Sequence, residues 1–183
     1  MRVITGIARG QKLQTLPGED ITRPTPEVVK EAVFSALHFE LEGRTMLDLF
    51  AGCGQMGIEA LSRGAKEAVF VDSAKKSVEI IRKNLASTKL AENAKVVQTD
   101  WQSYLSVSGT QFDIAFLDPP YGNGILQRAL EALPAHMSKT GVIIAENPLD
   151  EEILSEYGEF ALDRQYRYGK IKISTYRHED FVK

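Results

Sequence analysis

The chain has 183 residues, 43% of them hydrophobic and 26% charged, which suits one well-buried globular domain and is too little for two ordinary ones. Gly and Pro together make up 21 residues and nothing repeats at a fixed period, which excludes disordered, collagen-like and solenoid classes. A single cysteine excludes an internal disulfide, and runs such as Ile114–Leu117 fall far short of the roughly 20 apolar residues a membrane span needs.

With no export signal in Met1–Gly6, the expected address is the cytoplasm. The net charge of −3 conceals a segregation. Residues 1–23 carry Arg2, Arg9, Lys12 and Arg23 against Glu19 and Asp20, for +2. Residues 163–177 carry Arg164, Arg167, Lys170, Lys172 and Arg177 against Asp163, for +4, which leaves −9 for the remainder. By charge alone both ends suit a solvated face, and either can also meet an anionic partner locally although steering by net charge is weak.

In chain order, Arg2–Leu16 is punctuated by glycine and rich in Thr, Val, Ile and Leu, which suits a short hairpin or extended arm. Thr25-Pro26-Glu27 reads as N-cap, first-turn proline and acid, and Val28, Val29, Ala32, Val33, Ala36 and Leu37 recur at helical spacing, so a helix is expected over 26–39. From Met46 short apolar runs alternate with amphipathic stretches. Strands are expected at Met46–Phe50, Ala68–Asp72, Val96–Val97, Ile114–Asp118 and Val142–Ala145. Helices are expected at Ile58–Arg63, Ala74–Ala86 and Ile125–Leu133. This βαβ alternation implies a doubly wound, mostly parallel sheet of seven strands covered on both faces. Arg164–Tyr168, a turn at Gly169 and Lys170–Thr175 read as an antiparallel hairpin that closes it. The expected organisation is a basic N-terminal extension, 1–25, ahead of one domain, 26–183.

In a doubly wound sheet, ligands bind beyond the carboxyl ends of the strands. One such end is Asp48-Leu49-Phe50-Ala51-Gly52-Cys53-Gly54-Gln55-Met56-Gly57, where Gly52, Gly54 and Gly57 fit G-x-G-x-x-G between a strand and a helix. Asp72 ends the next strand, where its carboxylate can accept bonds from two ribose hydroxyls. A nucleoside cofactor is implied, held by the Phe50-Ala51-Gly52 turn. Charge separates the two obvious candidates. A carboxylate at Asp48 would repel a dinucleotide pyrophosphate, whereas the ammonium and sulfonium of S-adenosylmethionine are favoured beside it. Asp100 and Trp101 follow the third strand, where the adenine would lie; Asp100 also suits a helix N-cap.

The other end is Asp118-Pro119-Pro120-Tyr121. In isolation this is an ordinary turn. Opposite the glycine loop it fits the chemistry of an exocyclic amine, whose lone pair is delocalised into a nucleobase. The Asp118 carboxylate and Pro119 carbonyl can accept its N–H groups, Pro120 brings no competing donor, and Tyr121 offers a face for an extruded base. Cys53 reads as a packed small residue, and His38, His136 and His178 show no metal-ligand spacing, so no metal is expected.

Asp48–Gly54, Gly57–Ala65, Phe70–Asp72 and Phe116–Tyr121, with Arg2–Gly6, Gly10–Leu13, Thr22–Thr25 and Val29–Phe34 before them, resemble the RsmD family of bacterial 16S ribosomal RNA guanine-N2 methyltransferases over most of 1–147. The resemblance implies a class I S-adenosylmethionine-dependent fold, a basic N-terminal extension that contacts RNA, and a guanine in a partly assembled small ribosomal subunit as target; the charge distribution makes Arg2, Arg9, Lys12 and Arg23 the expected phosphate contacts on that extension. Cys53 stands where that family usually has serine, Gln55-Met56 where small or apolar residues are usual, and Asn147-Pro148 where histidine is common. There are two rivals: an adenine-N6 or cytosine-N4 methyltransferase, which would use the same two acceptors on another base, and a noncatalytic RNA-binding assembly factor that keeps the fold, against which the intact Asp48, Asp72 and Asp118 argue. A monomer is expected from a small chain with one site.

Overall fold

In a computed structural model, residues 1–16, 27–37 and 40–181 are described. The first helix, α1, spans Glu27–Ala36, shorter than the apolar spacing suggests, because the chain turns at Leu37. Its expected cap, Thr25-Pro26, lies outside the described residues, as do Arg23 and His38.

There follow β1 (Thr45–Asp48), α2 (Gln55–Ser62), β2 (Glu67–Asp72), α3 (Lys75–Thr88) and β3 (Ala94–Gln98). After them come α4 (Trp101–Val107), β4 (Phe112–Leu117), α5 (Ile125–Ala132) and β5 (Met137–Pro148). Three antiparallel strands end the chain: β6 (Glu156–Tyr157), β7 (Phe160–Tyr168) and β8 (Ile171–His178).

Among the described residues the sheet has eight strands in the order β3-β2-β1-β4-β5-β8-β7-β6, one more than expected. The extra strand is the two-residue β6 at the edge, too short to leave a periodic signal. The first five strands run parallel. Two boundaries differ in ways that matter for the site. Helix α2 begins three residues before Ile58, because Gly54 adopts φ 80° and turns the chain straight out of the loop. Strand β5 runs past Ala145 through Glu146 and Asn147, because β8 continues to pair with it as far as Pro148.

Strand alternation divides the interior into two cores. Met46, Phe70, Phe116 and Ile144 pack under α1, α2 and α3, while Leu47, Val71, Leu117 and Ala145 pack against α4 and α5. The N-terminal segment is part of the first core. Arg2 and Lys12 form an antiparallel bridge, and Val3, Ala8 and Leu13 are buried.

A buried carboxylate anchors that segment. Glu59, on α2, accepts the Ile4 and Thr5 N–H groups at 2.8 and 3.0 Å. It also lies 3.3 Å from Lys30 Nζ and accepts from Arg63 Nε at 2.8 Å. Lys30 in turn donates to the Arg2 carbonyl at 2.7 Å. Burial lowers the Lys30 pKa, against the pull of Glu59. Removing Glu59 strands one fully buried ammonium and two backbone donors. Glu59→Ala is therefore expected to lower stability by about 3–5 kcal/mol in urea unfolding, whereas replacement of the exposed Arg9 leaves the midpoint within about 0.5 kcal/mol of its original stability.

Candidate functional site

The strand order reverses between β1 and β4, and a cleft of about 1210 Å³ opens there at the carboxyl ends of the strands. Because Asp48 pairs in register with Phe116, Asp118 lies two residues further along the same face. Leu117, the last residue of β4, pairs with Ala145, so Asp118 just beyond that strand and Glu146 on β5 come next on that face. Asp72 stands two residues beyond Phe70 in the same core. Period-two geometry thus brings four carboxylates from four strands to one wall.

Two of them hold the loop. Asp48 accepts the Gly57 N–H at 3.0 Å, and Asp72 accepts the Gly52 N–H at 2.9 Å and the Ala74 N–H at 2.8 Å. A Cβ on Gly57 would overlap the Phe70 ring, so glycine is what lets α2 approach β2. Asn84 donates to the Cys53 carbonyl at 2.9 Å and accepts from the Gln14 N–H at 2.8 Å, which ties the N-terminal segment to the same loop.

The structure brings Asp48, Phe50, Ala51, Gly52, Asp72, Asp100, Trp101 and Asp118–Tyr121 to the cleft. Gly54 and Gly57 stand behind its wall as the cap and packing point of α2. Asp100 is the N-cap of α4, accepting from Ser103 N–H at 2.9 Å, and Trp101 packs on Phe50 with ring centroids 6.5 Å apart. Cys53 is buried, its thiol 3.8 Å from Met1 Sδ. Arg2, Arg9 and Lys12 do not line the cleft; Leu16, at the end of their segment, does. Arg2 pairs with Glu27 at 3.4 Å.

Glu146, which no sequence pattern singles out, belongs to the same wall. It is buried, lines the cleft, and accepts from Tyr121 Oη at 3.2 Å. Its only sequence signal is an acid inside an apolar strand, which alternation alone cannot aim. Lys170 and Tyr168, at the turn between β7 and β8, also reach the cleft.

Burial pushes the Asp48 carboxyl up to about 7, with Asp72 adding to the rise and the Gly57 N–H opposing it. Asp118 is held well above the usual carboxylate range by burial, then by Glu146 and Asp48. Burial and these acids also raise the Tyr121 phenol. Such a wall rejects a pyrophosphate and is relieved by a cation. Gln55 lines the cleft too, its side-chain oxygen buried and without a hydrogen-bond partner among the described residues, an acceptor that an ammonium donor suits. This set of acceptors therefore fits a cationic nucleoside, with Asp72 available to its ribose and Phe50 and Trp101 to its base.

A switch-point cleft of this polarity, on this sheet, defines an S-adenosylmethionine-dependent methyltransferase. Comparison with known proteins narrows the class: the family model described as Conserved hypothetical protein 95 matches residues 1–177, and the chain belongs to this family, the RsmD family. YlbH of Bacillus subtilis (strain 168), described as an rRNA methyltransferase, is 35% identical over 97% of this chain and 98% of its own length. Ribosomal RNA small subunit methyltransferase D of Escherichia coli (strain K12) is 32% identical over 98% of this chain and 90% of its own. The solved structure of yhhF from Escherichia coli, described as a methyltransferase, superposes with a TM-score of 0.88 at 30% identity, covering 97% of each chain.

A cation bound beside Asp48 favours its ionised form, so binding must displace the proton that Asp48 carries below about pH 7. Affinity for S-adenosylmethionine is accordingly expected to tighten by up to about tenfold per pH unit up to about pH 7 and to level off above. Calorimetric titration checks this, and Asp48→Asn should flatten the profile.

Proposed function

We propose that this chain transfers the methyl group of S-adenosylmethionine to the exocyclic N2 amine of one guanine in 16S ribosomal RNA, acting as a monomer on a partly assembled small subunit in the cytoplasm. One observation carries the reading: Asp118-Pro119-Pro120-Tyr121 shares a cleft, and a sheet face, with the loop between β1 and α2.

The bound cofactor supplies an electrophilic methyl group on a sulfonium. Everything else falls to the chain. Asp118 and the Pro119 carbonyl accept the amine N–H groups, which turns the nitrogen lone pair away from ring conjugation and toward the methyl. Pro119 and Pro120 stiffen that acceptor pair and add no donor. Tyr121, half exposed at the cleft mouth and tethered by its hydroxyl to Glu146, gives the extruded base a surface to stack on. Once methylated, the nitrogen is acidic, and the carboxylate that already accepts its N–H is the group placed to take the proton. The raised Asp118 pKa makes its ionised form a better proton acceptor than a surface aspartate. Preorganised acceptors carry most of the barrier reduction.

The RNA flanking the target base would be held around the cleft, with Lys170 at its edge. Arg9 and Lys12 are exposed on the docked N-terminal segment, and Arg164, Arg167 and Lys170 on the hairpin of β7 and β8. Contacts of this kind position phosphates without reading sequence.

The decisive assay is transfer of labelled methyl to unmodified 16S RNA, naked and in subunits, with the product identified by nucleoside mass spectrometry. N2-methylguanosine is expected; N6-methyladenosine or N4-methylcytidine would replace the guanine reading. Asp118→Ala should abolish transfer while cofactor affinity stays within a few-fold, whereas Asp72→Ala should weaken cofactor binding by about 1.5–3 kcal/mol. Replacing Arg9 and Lys12 by alanine together should flatten the salt slope of log RNA affinity by about 1.4–1.8, because each cation on a phosphate contributes about 0.7–0.9. Substitution is the appropriate probe, since deleting the segment would also strip Val3, Ala8 and Leu13 from the core.

A further inference from the structure

Of the acids that line the cleft, Glu146 is the buried one that neither the cofactor loop nor amine capture uses. Asp118 and the Pro119 carbonyl suffice for two N–H groups, yet Glu146 stands on the neighbouring strand at the next register position, buried and in the wall of the same cleft. Tyr121 Oη donates to Glu146 Oε1 at 3.2 Å, so the group that would stack the base and the second carboxylate are one assembly. Burying a further carboxylate beside Asp118 is costly, as the upward displacement of the Asp118 pKa by Glu146 shows. Such an arrangement is explained by a ligand that presents adjacent donors.

Guanine does so. Its Watson–Crick edge carries the N2 amine next to N1–H, two neighbouring donor groups. In adenine the ring nitrogen beside the exocyclic amine is N1, and in cytosine it is N3; both are acceptors with a lone pair, which a carboxylate repels. We infer that Glu146 is the specificity-determining residue of this site, accepting the N1–H of the target guanine while Asp118 and Pro119 hold its N2 amine and Tyr121 sets the Glu146 side chain. The inference rests on the guanine-N2 reading above and deepens it. It assigns discrimination between bases to β5 and leaves Asp118-Pro119-Pro120-Tyr121 as machinery common to any exocyclic amine.

The test exploits 2-aminopurine, which keeps the N2 amine but has an acceptor at N1. After the methylated guanine is mapped, 16S RNA carrying either guanine or 2-aminopurine at that position is made by splint ligation and assembled into subunits. The wild-type enzyme should favour guanine in kcat/KM by about 100-fold, the scale of one well-formed base-edge contact. Glu146→Gln presents an amide that can turn its N–H₂ to the 2-aminopurine N1, so the preference should shrink at least tenfold. The same shift should appear in RNA binding, measured by competition with S-adenosylhomocysteine bound, which gives an answer even if Glu146→Gln is too slow to assay. Loss of a purely structural glutamate would weaken both RNAs alike. A wild-type enzyme indifferent to the two bases, or a preference that Glu146→Gln leaves unchanged in both turnover and binding, overturns the role of Glu146 while leaving the guanine-N2 reading intact. A methyl group mapped to adenine or cytosine overturns that reading instead.

Discussion

The site depends on a turn held shut by two carboxylates. Asp48 and Asp72, at the ends of adjacent parallel strands, accept the N–H groups of Gly57 and Gly52, and the Phe70 ring closes the space that a side chain on Gly57 would need. These contacts fix where α2 begins and therefore the shape of the loop that lines the cleft. The same acids line the cleft, so the groups that hold the loop also give the cleft its polarity. Hydrogen bonds to backbone donors make buried acids tolerable, and relief of their remaining repulsion is free energy available to a cationic ligand.

A second buried charge cluster joins the N-terminal segment to that framework. Glu59 gathers two backbone N–H groups, Lys30 and Arg63, while Asn84 links Gln14 to Cys53. The segment bearing Arg9 and Lys12 is thus fixed relative to the cofactor loop. Cations presented to a phosphate backbone gain little if they hang on a mobile arm, because ordering that arm costs conformational entropy on binding. Here that ordering is already achieved by folding. The acids are gathered in the cleft, while Arg9, Lys12, Arg164 and Arg167 are exposed away from it, so an overall negative chain still presents local positive charge.

Much of this was legible in the sequence. The alternation of apolar runs and amphipathic stretches specifies a doubly wound sheet, because each pattern has only one face or two faces to bury. Asp48, Gly52, Asp72 and Asp118–Tyr121 could be singled out because ligands bind at strand ends and these residues sit there. Glycine punctuation marked the turn at Gly169 between β7 and β8.

What remained hidden depends on pairing between distant segments. No local pattern shows that β5 continues through Glu146, since that extension exists only because β8 lies alongside it. Nor does any pattern show that Asp118 and Glu146 are neighbours, which follows from the register of β4 on β5. An arm reading of residues 2–16 was open because the buried partners of that segment, Glu59 and Asn84, lie some 55 and 70 residues away along the chain. Periodicity reports which faces a segment buries; it carries no information about which other segment covers them. The chemistry of each strand end was therefore written in the sequence, and the assembly of those ends into one acidic wall was decided by tertiary register.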